Sequence, residues 1–420
     1  MNEAFLYHVW KYRLFNTTVL QTINGDEVHV LKPGEQNPDS GPDFFNARLR
    51  IGETEWAGNV EIDTTSADWF HHGHHTNKAF SKIILHVVYE LNKPLTHGIP
   101  VVELKKYIDT TAMNQYEQLQ KSKDAIPCSK LLHTVPEITR QTWLERMVIE
   151  RIEQKSKLME QALENNKGDW EVTFYHLLAR NFGFKTNAVP FELLAKSIPL
   201  SALAKQKNNL LQLEAMLFGQ AGLLNEPDGD DYYNQLKQEY KHLALKFSLA
   251  PMEKNLWKFA RMRPVNFPSV RIAQFAALVH QSSHLFSKII EVKEVKQLHK
   301  LFEVQPSDYW NSHYHFAKKS TDQFKALGQS SIDNILINTI SPFLFVYGKL
   351  KNSEKFRERA LSLLEQCKAE NNTIIRLWKV AGVKPEHAWH TQGLIQLKNQ
   401  YCNSKQCLKC AIGIKILKQK

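Results

Sequence analysis

The sequence predicts an α+β protein: an N-terminal mixed sheet flanked by helices, followed by a mostly α-helical domain. Three observations carry that expectation. An apolar helix-periodic segment opens the chain, residues up to about 105 hold short β-branched runs between turn signals, and residues after 110 hold long amphipathic runs. Two domains follow, 1–105 and 106–420. With 420 residues, 43% hydrophobic and 23% charged, the chain is long enough to bury more than one core and has a globular composition.

The elements follow in order. "NEAFLYHVWKYRLF" spaces Phe5, Leu6, Val9, Trp10 and Leu14 as one helix face. "VLQTINGDEVHVL" contains Asn24-Gly25, a strong hairpin signal, and "NARLRIGETEWAGNVEI" predicts a second hairpin about Gly52. "DWFHHGHHTNKAF" breaks the pattern as a loop or short helix. "SKIILHVVYEL" resumes it as a β-branched strand, and "GIPVVEL" adds a last one. From Pro136 the chain turns helical, with apolar residues at 144, 148, 152, 158, 159 and 163. Similar runs recur at 170–182, 207–219, 232–248, 269–290, 354–367 and 372–380, with loops at 225–231 and 263–268.

Fifty-four basic against 43 acidic side chains leave a net charge of +11, which suits an anionic partner such as nucleic acid. "MNEAFLYHVW" lacks the basic region and apolar run of a signal peptide, and no apolar stretch reaches membrane-span length. The expectation is a cytoplasmic protein with no membrane partner.

Carboxylates give the first candidate site. Strand alternation puts Asn59, Glu61 and Asp63 on one face, and a hairpin through Gly52 brings Asp43 to the same end as Glu61, within reach of one Mg²⁺ or Mn²⁺. Such an ion supports hydrolysis of a phosphodiester. His71, His72, His74 and His75 cluster around Gly73, and His72 and His74, flanking the glycine, are the candidates to join the carboxylates. Imidazoles there suit Zn²⁺, Mn²⁺ or Fe²⁺, or a general base. The competing reading is a solvated loop beside Trp69. For His86, a hydrogen-bonded core histidine stands against a ligand.

"YCNSKQCLKC" spaces Cys402, Cys407 and Cys410 as C-x4-C-x2-C, and Cys128 is the candidate fourth ligand for Zn²⁺ or an iron–sulfur cluster. Unliganded thiols remain the alternative, and Cys367 continues the apolar face of Phe356, Ala360 and Leu364. "FARMRPVNFPSVRIAQFA" sets Arg261, Arg263 and Arg271 around a proline-stiffened loop, a candidate contact for nucleic-acid phosphates. The other reading has them pairing with carboxyls on neighbouring helices.

Pro42-Asp43 followed by Glu61-Ile62-Asp63, in this order of elements, resembles the PD-(D/E)XK nuclease superfamily. The resemblance implies Asp43 and Glu61 as metal ligands, with Glu3 a third, and Mg²⁺- or Mn²⁺-dependent cleavage of nucleic acid. The chain departs from it at Asp63, where the superfamily carries Lys. Either Lys78, Lys82 or a histidine takes that role, or the protein is an inactive nucleic-acid-binding or scaffold module. Some members also hold a [4Fe-4S] cluster on one distant and three clustered C-terminal cysteines, although there the lone cysteine precedes the sheet and Cys128 follows it. The whole chain further resembles a bacterial family of unknown function through "GPDFFNARL", "GNVEI", "DWFHHGHH", "ILHVV", "RPVNFP" and the cysteine cluster.

Overall fold

The computed structural model describes residues 2–418 apart from 109, 228 and 283. The chain divides into two compact units. The first comprises Met1–Glu145, Leu377–Val383 and Gln396–Lys420, and the second Arg146–Arg376 and Lys384–Ile395. This division differs from the one at 105/106: residues 106–145 and the C-terminal cysteine segment group with the sheet and not with the central helices.

In the first unit, helix α1 (Glu3–Tyr12) starts where the Asn2 side chain accepts from the Phe5 N–H and stops where Arg13 turns left-handed. It buries Phe5, Leu6, Val9 and Trp10, the face its spacing predicts. Seven strands follow: β1 (Leu20–Gln21), β2 (Glu27–Lys32), β3 (Glu35–Gln36), β4 (Phe44–Ile51), β5 (Thr54–Thr65), β6 (Ile83–Glu90) and β7 (Val101–Glu103). Their order is β1-β2-β4-β5-β6-β7, with β3 on β4. The Asn24-Gly25 and Gly52 hairpins form as expected, pairing β1 with β2 and β4 with β5 antiparallel. Beyond β5 the sheet becomes parallel, through β6 to β7. Parallel pairing requires a crossover, and the one between β5 and β6 carries the histidine loop and helix α2 (Asp68–His71). Residues 83–88 of β6 are buried without alternation, as a covered parallel strand should be.

Helix α3 (Thr110–Lys121) belongs to the same unit. Its Tyr116 stacks on Phe5 at 4.6 Å, and the Gln120 amide donates to the Lys405 carbonyl at 3.0 Å. The latter bond ties α3 to the loop between the cysteines.

The second unit is built of helices, with Trp170–Phe182 matching its predicted span. Helix α4 (Glu137–Asn165) crosses the border, and its Val148, Ile152, Met159 and Leu163 are buried. Leu158 is a correction: it is 69% exposed, because residues 152, 159 and 163 define a stripe that position 158 misses. The run expected over 269–290 is two helices, Pro268–Gln281 and Leu285–Glu291, with His284 left-handed before the second. A short ribbon, β8 (His313–His315) with β9 (Lys318–Lys319), was not foreseen. No helix among the described residues is long and apolar enough to cross a membrane.

Candidate metal centre

The antiparallel β4–β5 pair opens at Asp43, one residue before the Phe44–Val60 pairing. A bulge between Phe44 and Ala47, with Asn46 left-handed, bends the strand there. The Asp43 N–H donates to Glu61 Oε2 at 3.1 Å, and the Ile62 N–H donates to Asp43 Oδ2 at 2.9 Å. The two carboxylates are therefore locked side by side at one sheet end. Glu61 and Asp63 are 4% and 2% exposed, so any charge they carry is held inside the protein. Burial, and then the adjacent Glu61, push the Asp43 carboxyl up to about 7. Tyr7 of α1 bonds Asp43, and its hydroxyl also reaches Glu3 Oε2 at 3.5 Å. Glu3 thus approaches the pair through Tyr7.

The crossover loop delivers imidazoles to the same floor. Gly73 adopts φ +73°, a turn that glycine takes without strain, and its neighbours reach back toward β5. His74 Nε2 lies 3.0 Å from Glu61 Oε1, and His72 Nδ1 lies 3.3 Å from Asp63 Oδ1. Ligand atoms of Asp63, His72 and His74 all fall within 4.8 Å of one another. Burial pulls His74 down, but Glu61, Asp63 and Asp43 outweigh it and hold the imidazole above its ordinary value. His71 and His75 are exposed.

Behind Asp63 stands a pair of histidines. His86, fully buried, places Nε2 3.0 Å from Asp63 Oδ2 and Nδ1 3.2 Å from His97 Nε2. The Ile99 N–H donates to His97 Nδ1 at 3.1 Å. His86 is the hydrogen-bonded core histidine. His97 was not singled out by the sequence, since nothing in "LTHGIP" signals a partner eleven residues back. Trp69 packs among the rings of His74, His86 and His97 at 5.4, 4.8 and 4.7 Å and walls the cluster. Lys78 and Lys82 are exposed.

Cys128, Cys402, Cys407 and Cys410 line one small, almost wholly apolar pocket of the first unit. Burial and the neighbouring thiols push Cys128 up to about 12 and Cys407 up to about 11, and raise Cys402. Burial also raises Cys410, only partly offset by the N–H groups of Gly413 and Ile412 and the Trp143 side chain, which donate to it. Gly413 permits this approach, because a Cβ there would sit 2.3 Å from the Cys407 carbonyl oxygen. Cys367 is buried in the helical unit's core.

The three arginines part company. Arg261 and Arg263 are exposed, whereas Arg271 is 5% exposed and donates to Asn266, Gln274 and Ser331 with its guanidinium over the Phe184 ring. Arg271 is thus a correction to the basic phosphate-contact set. It lies on the inward face of the helix that Pro268 begins, and its planar head satisfies polar groups inside the unit.

Fold and centre together define an α+β protein with a carboxylate–imidazole cluster at the crossover of a mixed sheet. The chain belongs to the family described as Protein of unknown function (DUF2851), which matches residues 3–373. No curated protein matches it. No solved structure matches it either.

Proposed function

We propose that the protein is a metal-dependent nuclease that hydrolyses phosphodiester bonds in nucleic acid, with Asp43 and Glu61 as ligands of Mg²⁺ or Mn²⁺. The observation that carries this reading is the mutual locking of Asp43 and Glu61 at one sheet end, with the Asp43 carboxyl pushed up to about 7. Two hard oxygen donors that repel each other when charged fit a divalent cation. Such a cation would supply Lewis-acid activation of a water and of the phosphodiester oxygen. The resemblance to PD-(D/E)XK nucleases and the net charge of +11 point the same way. Exposed Arg261 and Arg263 are available to phosphates.

The role expected of a Lys falls to another group, and His72 and His74 are side chains of suitable chemistry beside the carboxylates. A second reading, an inactive nucleic-acid-binding or scaffold module, is favoured by Asp63 standing where the resembling nucleases carry Lys. Purified protein incubated with single- and double-stranded DNA and RNA plus Mg²⁺ or Mn²⁺ separates the two. Cleavage abolished by Asp43→Ala and Glu61→Ala supports the nuclease. Salt-dependent binding without cleavage supports the module.

For the cysteines, the reading is a [4Fe-4S] cluster or Zn²⁺ held by Cys128, Cys402, Cys407 and Cys410, all four of which face one pocket. Such a group would pin the C-terminal segment beside α3. Anaerobically purified protein that is brown supports the cluster, and colourless protein with stoichiometric zinc supports Zn²⁺.

A further inference from the structure

Two histidine–carboxylate contacts on the floor have an unusual character. His74 Nε2 is buried and lies 3.0 Å from Glu61 Oε1, off the direction of a well-aligned hydrogen bond. His72 Nδ1 and Asp63 Oδ1 lie 3.3 Å apart. Atoms bound about 2.1 Å from one ion at right angles sit about 3.0 Å apart, and tetrahedral ones about 3.4 Å. The 3.3 Å between His72 Nδ1 and Asp63 Oδ1 falls in that range, and His74, placed beside them against Glu61, completes a set whose ligand atoms all lie within 4.8 Å of one another.

The orientation of Asp63 is set from behind, one proton at a time. The Ile99 N–H donates to His97 Nδ1, so that nitrogen carries no proton and neutral His97 bears its hydrogen on Nε2. That hydrogen points at His86 Nδ1, which leaves the His86 proton on Nε2, donating to Asp63 Oδ2. Asp63 Oδ2 is thereby occupied and Oδ1 is turned toward His72. A ligating carboxylate whose other oxygen is held by an imidazole, itself held by a further donor, is the outer-shell pattern that metal sites require.

We propose that Asp63, His72 and His74 bind a divalent transition-metal ion, with His86 and His97 as positioning residues behind Asp63. Two imidazoles and one carboxylate favour Mn²⁺, Zn²⁺ or Fe²⁺ over Mg²⁺, which prefers all-oxygen shells. The assignment builds on the reading of this floor as an ion-binding centre, but it uses donors that the Asp43–Glu61 pair does not supply.

The test is Mn²⁺ added to the full-length, chelator-treated protein and followed by pulsed electron paramagnetic resonance. Mn²⁺ takes nitrogen and oxygen donors in preference to thiolates, so the cysteine pocket does not compete. Bound Mn²⁺ should show coupling to imidazole nitrogen, resistant to a 100-fold excess of Mg²⁺. His72→Ala, at a half-exposed position that tolerates the change, should weaken it at least roughly 10-fold, as should His74→Ala. His97→Ala should lower affinity roughly 10-fold with all three ligands intact. Asp43→Asn should leave the nitrogen coupling in place. Absence of nitrogen coupling in the parent protein, or coupling unchanged in both His72→Ala and His74→Ala, would overturn the site. Nitrogen-coupled Mn²⁺ without cleavage keeps this assignment and removes the nuclease reading, and Asp43-dependent cleavage without nitrogen coupling does the reverse.

Discussion

Asp43 and Glu61 hold each other through the backbone: the Asp43 N–H donates to Glu61 at 3.1 Å, and the Ile62 N–H beside Glu61 donates back to Asp43 at 2.9 Å. Each carboxylate is therefore both a site group and a structural acceptor, and substitutions here move activity and stability together. Asp43→Ala or Glu61→Ala should reduce Mn²⁺-dependent cleavage at least ~100-fold. Glu61→Ala should also lower the melting temperature, because it strips the Asp43 N–H of its acceptor. Initial cleavage rates and thermal melts on the same preparations check both.

Asp43 fixes a pH dependence. Its folded-state pKa lies above the ordinary value, at about 7. Between about 4 and about 7 the folded chain keeps a proton that the unfolded chain has released, so stability contributed by this group falls as pH rises through that window. Metal-free Asp43→Asn should escape the loss and exceed the parent at pH 8 by on the order of 1 kcal/mol, with no such gain at pH 4. Denaturant melts at the two pH values measure the difference.

The thiols around Cys128 are pushed well above neutral pH when no metal is bound. Metal-free protein at pH 7.5 should therefore alkylate slowly at all four positions until it is denatured. Metal uptake should release protons and strengthen as pH rises. Gly413→Ala, which drives a methyl into the Cys407 carbonyl, should weaken uptake while leaving the sheet intact. Mass spectrometry of alkylated protein and metal titration at two pH values test these outcomes.

The arginines should separate by effect. Arg271→Ala removes three internal donor contacts and should cost about 2–4 kcal/mol of stability. Arg261→Ala and Arg263→Ala should leave stability nearly unchanged. If these side chains meet phosphates, each change should reduce the salt slope of nucleic-acid binding by roughly one. Melts and binding at two ionic strengths distinguish the classes.

Local pattern was enough to read α1, the two hairpins, the buried strand β6 and the helix Trp170–Phe182, because helical spacing, Asn-Gly turns and β-branched runs act over a few residues. The facing of Asp43 and Glu61 also followed from strand alternation and one hairpin. What needed the tertiary structure was everything fixed by long-range placement. His97 meets His86 only because β6 and β7 run parallel and the loop between them returns His97 to the strand it left. Cys128 joins cysteines nearly 300 residues later only because the C-terminal segment packs in the sheet's own unit. Arg271 turned inward because its helix face does, which a charge count cannot show. The sequence by itself determined which donors exist and on which strands they alternate. The fold decided which lone pairs converge, since convergence depends on loop crossings and inter-element packing that no local spacing encodes.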